Sequence, residues 1–289
     1  MSDITRVAVI GCGLMGSGIA EVCARAGADV IACEIDEQAA AAGRARIEAS
    51  LDRAAKAGKL TAEDRDAALA RLAFTTQLSD LADRDLVIEA AAEDPDLKTA
   101  LFGELDRVVK CPDAILATNT SSIPIVRLAR ATSRPSQVLG LHFFNPAPVQ
   151  KLVELIPSIL TSAQAADRAR DFATTTLGKT TITAPDRSGF VVNALLVPYL
   201  LAAIRMLEAG HATAGDIDTG MVLGCAHPMG PLHLADLIGL DTLQAVADSL
   251  HEEFRETQYA APPLLRRMVD AGLTGRKTGQ GFFPYPEQR

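Results

Sequence analysis

The sequence predicts an α/β fold: a doubly wound, mostly parallel sheet followed by a smaller all-helical domain. Three observations carry that expectation. A short β-rich run, ITRVAVI (4–10), leads into the glycine-rich GCGLMGSG. Strand and helix patterns then alternate as far as Thr183. Beyond Ser188-Gly189 one helical pattern follows another. Alternation of this kind implies parallel strands covered on both faces, and the later succession implies a second, helical core. With 289 residues the chain is long enough for two domains. We expect residues 1–185 to form the first and 186–289 the second.

Each element has its own signal. Residues 14–26 carry helical apolar spacing, and ADVIACE (28–34) reads as the second strand. Residues 36–72, rich in Ala, Arg and Glu, read as a helical hairpin broken near Gly58-Lys59-Leu60-Thr61. Further strands are DLVIEA (85–90), AILATN (114–119), VLGLHF (138–143) and KLVELI (151–156), with a helix over 95–109 between the first two. The second domain reads as helices over 190–209, 213–223, 231–237, 241–256 and 262–271, punctuated by Pro228, Gly230 and Pro231.

Composition narrows the function. Hydrophobic residues make up 48% and charged residues 22%, which suits a folded globular chain. Aromatic residues are only 4%, Trp is absent and the formal charge is −8, so a nucleic-acid partner is not expected. No apolar run reaches membrane-spanning length, and the N-terminus enters a strand pattern without a signal-peptide signature. Cys12, Cys23, Cys33, Cys111 and Cys225 are scattered and lack CxxC or Cys/His spacing. They read as unpaired thiols in a reducing cytoplasm, with no metal site.

Gly11-Cys12-Gly13-Leu14-Met15-Gly16 is a GxGxxG match, weak alone but placed here between a strand and a helix, as a Rossmann-type dinucleotide site requires. Gly11 permits the tight turn, Gly13 lets the backbone approach a pyrophosphate, and Gly16 lets the helix pack closely on the sheet. Glu34 ends the second strand, where a carboxylate accepts hydrogen bonds from a ribose diol and repels a 2′-phosphate. No Arg or Lys follows before Arg44, so NAD is expected over NADP.

LGLHFFNPAPVQKLVELI (139–156) consists of two apolar runs joined by Asn145-Pro146-Ala147-Pro148, and each run carries one ionisable side chain. If the runs form a hairpin symmetric about Pro148, His142 and Glu154 face each other. Glu154 then fixes the imidazole tautomer, leaving the other nitrogen to act as a base. A dehydrogenase needs such a base, because a nicotinamide takes hydride and not the hydroxyl proton. Thr118-Asn119-Thr120-Ser121-Ser122 follows an apolar strand. It reads either as turn and capping chemistry or as the source of a hydroxyl, from Ser121 or Ser122, for the substrate oxygen. Asn193, in an apolar helix, has either a structural hydrogen bond or a substrate carbonyl as its partner.

With these motifs assembled, the chain resembles the short, single-function 3-hydroxyacyl-CoA dehydrogenases from Arg6 to Tyr285. The resemblance is carried by GCGLMGSGIAEV, VIEAAAED, ATNTSSIPI, LHFFNPAPV, KLVELI, SGFVVNALLVPYL, HPMGPL and GRKTGQGFF. It implies that His142 is the catalytic base with Glu154 as partner, that Ser121 bonds the substrate oxygen and that Asn193 assists at its carbonyl. It also implies cofactor positions at Leu14, Met15, Glu93, Lys98, Asn119, Ser121, Asn145 and Lys277, and a CoA contact at Ser50. Two departures stand out. The ribose acid is usually Asp and is Glu34 here, and the CoA-binding Lys would fall at Ala57, leaving Lys56 or Lys59 to serve. The expected reaction interconverts (S)-3-hydroxyacyl-CoA and 3-oxoacyl-CoA with NAD, in a homodimer formed through the helical domain.

Rival readings keep the fold and change the chemistry. The substrate could be an acyl-carrier-protein thioester or a small sugar hydroxy acid. Lysine-based β-hydroxyacid dehydrogenases are disfavoured because GFVVNALLVPYL (189–200) contains no Lys. A catalytically idle NAD-binding protein would not need Ser121, His142, Glu154 and Asn193 together.

Overall fold

The structure, a computed structural model, describes residues 3–286. The chain divides into two compact units, Met1–Arg187 and Ser188–Arg289. In the first, β1 (Arg6–Ile10), α1 (Leu14–Arg25) and β2 (Asp29–Cys33) are followed by the helical pair α2 (Glu37–Lys56) and α3 (Ala62–Ala70). Next come β3 (Leu72–Thr75), β4 (Leu86–Glu89), α4 (Pro95–Val108), β5 (Ile115–Thr118) and α5 (Ile125–Ala129). β6 (Val138–Phe143), β7 (Leu152–Pro157), α6 (Ala163–Asp171) and β8 (Thr180–Thr183) complete the unit.

The eight strands form one sheet in the order β3-β2-β1-β4-β5-β6-β7-β8. β1 to β6 run parallel, while β7 runs antiparallel to β6, with β8 parallel to β7. The chain steps outward from β1 to β2 and β3, then returns to β4 on the other side of β1. That reversal is a topological switch point, where open α/β sheets bind ligands beyond the strands' carboxyl ends.

Central strands buried on both faces are mostly apolar. Val7, Val9, Val30, Leu86 and Ile88 meet Ile19 and Cys23 of α1 and Ile47 and Leu51 of α2 in one buried cluster. Each large aliphatic side chain so buried contributes roughly 1.5–3 kcal/mol. Helix starts follow local chemistry: Asp36 caps α2 through Ala39 N–H (2.7 Å), and Thr61 caps α3 through Asp64 N–H (3.0 Å). Asp94 caps α4 through the amides of Asp96 and Leu97, with Pro95 in its first turn.

The sequence did not lead us to expect β3, β8 or α6. Both strands have four residues and lie at the two edges of the sheet, where part of each side-chain row meets solvent. A continuous apolar run therefore does not mark them.

The second unit comprises α7 (Val192–Glu208), α8 (Ala214–Cys225), α9 (Pro231–Ile238), α10 (Leu240–Phe254) and α11 (Pro263–Asp270). They pack around Leu200, Leu201, Ile204, Leu232, Leu243, Leu250 and Leu265. Two buried carboxylates hold the ends of the HPMGPL and GRKTGQGFF motifs in place. Asp218 accepts the Leu232 and His233 amides (2.8 and 2.9 Å), capping α9. Asp236 accepts the Phe282 and Phe283 amides and the Tyr285 hydroxyl, tying the final segment to α9. A Cβ at Gly230 would lie 2.2 Å from the Asp218 Cγ, so this cap requires glycine. Among the described residues, no helix is long and apolar enough to cross a membrane.

Candidate active site

Beyond the carboxyl end of β1 the chain turns through Gly11. Its φ is +83°, and a Cβ there would lie 2.8 Å from the Ala90 carbonyl oxygen, so both the backbone and its surroundings require glycine. A Cβ at Gly16 would come within 1.7 Å of the Gly11 carbonyl oxygen, so α1 closes directly on the turn. Gly13 is different. Its φ is −62°, and a Cβ there would meet no heavy atom within 4 Å. Nothing in the chain itself requires glycine at that position, and the open space there leaves room for a ligand to approach the start of α1. No side chain caps α1, so its first amides are available to a phosphate. Leu14 is exposed and Met15 half-buried against the core. The residues therefore fit a dinucleotide.

Glu34 follows β2 and accepts the Cys12 N–H through Oε1 and the Ile35 N–H through Oε2 (3.2 Å). Arg46 of α2 donates to the Cys12 carbonyl at 2.6 Å. One residue of the glycine-rich turn is thus held by an acid on one side and a guanidinium on the other. Burial pushes the Cys12 thiol up to about 12, with the Glu34 charge adding to the shift, so this cysteine stays protonated and unreactive at neutral pH.

Below the ends of β4 and β5 lies a buried polar network. Glu89 is fully buried and accepts the Lys98 ammonium (2.5 Å), the Ala91 N–H (2.7 Å) and the Thr118 hydroxyl (2.7 Å). Lys98 is itself fully buried and also approaches Glu93 (3.3 Å), which rules out a solvated side chain. Glu93 in turn accepts from the Thr120 and Ser122 hydroxyls and the Ser121 N–H. The hydroxyl of Ser122 is therefore committed to Glu93, while that of Ser121 makes no hydrogen bond among the described residues. Asn119 Oδ1 accepts the Phe143 N–H at 2.8 Å, fastening β6 to the end of β5 one residue beyond His142.

β6 and β7 pair in the register anticipated from the symmetric hairpin, with His142 opposite Glu154. His142 Nδ1 lies 2.7 Å from Glu154 Oε2, both groups being buried. The imidazole also meets the Phe144 ring edge-on, with centroids 4.7 Å apart. His142 is one residue from the carboxyl end of β6, at the sheet edge that holds the glycine-rich turn. A neutral histidine in this setting has a fixed tautomer and, when protonated, a buried counter-charge.

The remaining expected positions divide by element. Asn145 is exposed in the β6–β7 turn, Ser50 is half-buried on α2, and Lys56 is exposed at its end. Asn193 and Lys277 belong to the second unit. Asn193 lies in the first turn of α7, and the Lys277 ammonium is paired with Asp241 at 2.6 and 2.7 Å. Sequence reasoning passed over Glu89 and Arg46. The signal for Glu89 was present, a carboxylate set in the apolar DLVIEA, as Glu154 is in KLVELI. Arg46 had no comparable signal.

Comparison with known proteins adds to this geometry. Residues 6–187 match the NAD binding domain of 3-hydroxyacyl-CoA dehydrogenase, and residues 189–285 match its C-terminal domain. A 3-hydroxybutyryl-CoA dehydrogenase of Mycobacterium tuberculosis is 60% identical over 99% of this chain and 100% of its own. The crystal structure of M. tuberculosis FadB2 superposes with a TM-score of 0.97 at 59% identity, covering 98% of this chain and 99% of that one. That of (S)-3-hydroxybutyryl-CoA dehydrogenase PaaH1 from Ralstonia eutropha gives 0.93 at 45% identity over 99% and 100%. With both family domains matched in order along nearly its whole length, and a glycine-rich turn and a buried histidine–carboxylate pair borne by strands of one sheet, the chain belongs to the NAD-dependent 3-hydroxyacyl-CoA dehydrogenases.

Proposed function

We propose that the chain interconverts (S)-3-hydroxybutyryl-CoA and acetoacetyl-CoA, with His142 as the group that moves the proton. The buried pair of His142 Nδ1 and Glu154 Oε2, 2.7 Å apart, carries this reading. Glu154 takes the Nδ1 proton as a hydrogen bond, so exchange with substrate falls to Nε2. In oxidation Nε2 accepts the 3-hydroxyl proton, and the Glu154 carboxylate stabilises the resulting imidazolium. NAD, when bound, supplies the acceptor for the hydride that leaves C3. In reduction the same nitrogen returns the proton to the 3-oxo oxygen.

The other residues serve binding and orientation. Ser121 donates its hydroxyl to the reacting oxygen, a role supported by that hydroxyl's lack of a partner among the described residues. Asn193 holds the thioester carbonyl. Gly11, Gly13, Leu14, Met15, Gly16, Glu34, Asn119 and Asn145 shape the dinucleotide site. Glu93 closes the network beneath it, Lys98 acts through Glu93 and Glu89, and Lys277 contributes to the cofactor side. Ser50 and Lys56 of α2 hold CoA. The names of the relatives at 60% and 45% identity support a four-carbon acyl-CoA substrate over an acyl-carrier-protein or sugar-acid one.

A panel of 3-oxoacyl-CoA substrates from C4 to C16, with NADH and NADPH in parallel, tests the substrate and coenzyme. The highest kcat/KM is expected for acetoacetyl-CoA with NADH, and a preference for long chains or for NADPH would refute the assignment. His142→Ala is expected to lower kcat by about 10²–10⁴-fold, the range of general acid–base catalysis. Undiminished turnover would exclude His142 as the proton carrier.

We infer further a cytoplasmic homodimer. All five cysteines are unpaired, which suits a reducing compartment. Leu195 of α7 and Leu223 of α8 are 73% and 79% exposed, large apolar side chains that association would cover. Light scattering should give twice the chain mass, and Leu223→Glu should shift it toward the monomer.

A further inference from the structure

The α2 helix lies against the glycine-rich turn. Gly43 is buried, and a Cβ there would come 2.5 Å from the Cys12 Cβ, so no bulkier residue lets the helix approach this closely. One turn later, Arg46 reaches the Cys12 carbonyl at 2.6 Å, while Glu34 holds the N–H of the same residue. Arg44, two positions earlier and about 200° round the helix, points elsewhere and stacks over Phe74 at 4.3 Å. Arg46 is exposed, and among the described residues no carboxylate lies within ion-pair distance of it. A guanidinium has five N–H donors in a planar fork that suits phosphate, and the Cys12 carbonyl engages only Nη1. An uncompensated cation therefore stands across a single residue from the acid that receives the adenosine ribose.

We propose that Arg46 is a second determinant of coenzyme choice. The chain already carries the cation that a 2′-phosphate would need, and Glu34 alone keeps the site on NAD. With Glu34 ionised, a 2′-phosphate meets a carboxylate at the ribose and loses the hydrogen bond made by the 2′-hydroxyl. With that charge removed, Arg46 becomes the dominant local charge and attracts the phosphate. The absence of Arg or Lys between Glu34 and Arg44 suggested that nothing nearby could neutralise this group. The fold overrides that reading by bringing Arg46 back to the turn from twelve residues beyond Glu34.

A double-mutant cycle on the full chain tests this, reading dissociation constants for NADH and NADPH by coenzyme fluorescence. Calorimetry with adenosine 2′,5′-bisphosphate against 5′-AMP isolates the adenosine end. Glu34→Gln retains an acceptor for the Cys12 N–H and removes the charge. It should tighten NADPH and adenosine 2′,5′-bisphosphate binding by about ten-fold or more, in a manner that weakens as salt is raised. Adding Arg46→Met should return both to the parent's weak binding, and Arg46→Lys should keep part of the gain. A purely structural role for Arg46 would instead weaken NADH and NADPH alike in either background. The proposal is overturned if Glu34→Gln gains nothing for the 2′-phosphorylated ligands, or if the double variant keeps the gain. Circular dichroism checks that each variant is folded. Should Arg46→Met fail to fold, Arg46→Gln, which can still donate to the Cys12 carbonyl without charge, takes its place with the same expectations.

Discussion

Glu89 and Lys98 show how much of the site rests on side chains buried beneath it. Both are fully buried, and their 2.5 Å ion pair joins the end of β4 to α4 beneath the Ser121 turn. Removing one member of a buried pair strands the other, at a cost of about 3–5 kcal/mol. Lys98→Met should therefore lower stability by that order in urea unfolding, whereas Lys98→Met with Glu89→Gln should recover part of the loss. Equal losses in the single and double variants would show that the pair is not coupled. The His142–Glu154 partnership was legible because a symmetric hairpin converts residue numbers directly into cross-strand neighbours. Arg46 was not legible, because its place depends on how a helix rolls against a distant turn. Local spacing does not encode that rotation, and only the buried Gly43 against Cys12 reveals it.

Among the elements, inner and outer strands differ in how clearly the sequence announces them. β1, β4, β5 and β6 are buried along nearly their whole length and read as mostly apolar runs. The edge strands β3 and β8 carry no such run. A different device fixes where the inner strands begin. Asp85, just before β4, accepts the Thr5 and Arg6 amides (3.1 and 2.9 Å) and the Arg6 guanidinium (2.7 Å), stitching the starts of β1 and β4 together. Burial pushes this carboxyl up, but the hydrogen bonds from Arg6 and Thr5 outweigh it and hold the group below the ordinary range. A carboxylate with a depressed folded-state value stabilises the fold above its unfolded value of about 3.9, and the contribution fades as pH falls below that. Asp85→Asn should therefore lower the urea midpoint at pH 7, with the gap to the parent narrowing below pH 4. A gap that is constant across that range would mean that the charge is not what matters. Asp186 does similar work for α5, accepting the Ile125 and Val126 amides (2.7 and 2.8 Å) where Pro124 offers no side-chain cap.

For the whole molecule, the two units have separate apolar cores, one around the sheet and one among the last five helices. Units of this kind need not unfold together, and the sequence provides a way to see whether they do. The chain has no Trp, and its three tyrosines, Tyr199, Tyr259 and Tyr285, all belong to the helical unit. Tyrosine fluorescence therefore reports that unit alone, while far-ultraviolet circular dichroism reports both. We expect the two signals to give non-coincident thermal transitions, the mark of departure from two-state behaviour. NADH should separate them further. The turn at Gly11 to Gly16, with Glu34 beside it, lies in the sheet-containing unit, and coenzyme at a hundred times its dissociation constant adds about 2.7 kcal/mol to the state that binds it. The dichroism transition should then move up more than the tyrosine transition. If the two shift together by the same amount, the helices must unfold with the sheet as one cooperative body, and coenzyme binding stabilises the chain from end to end.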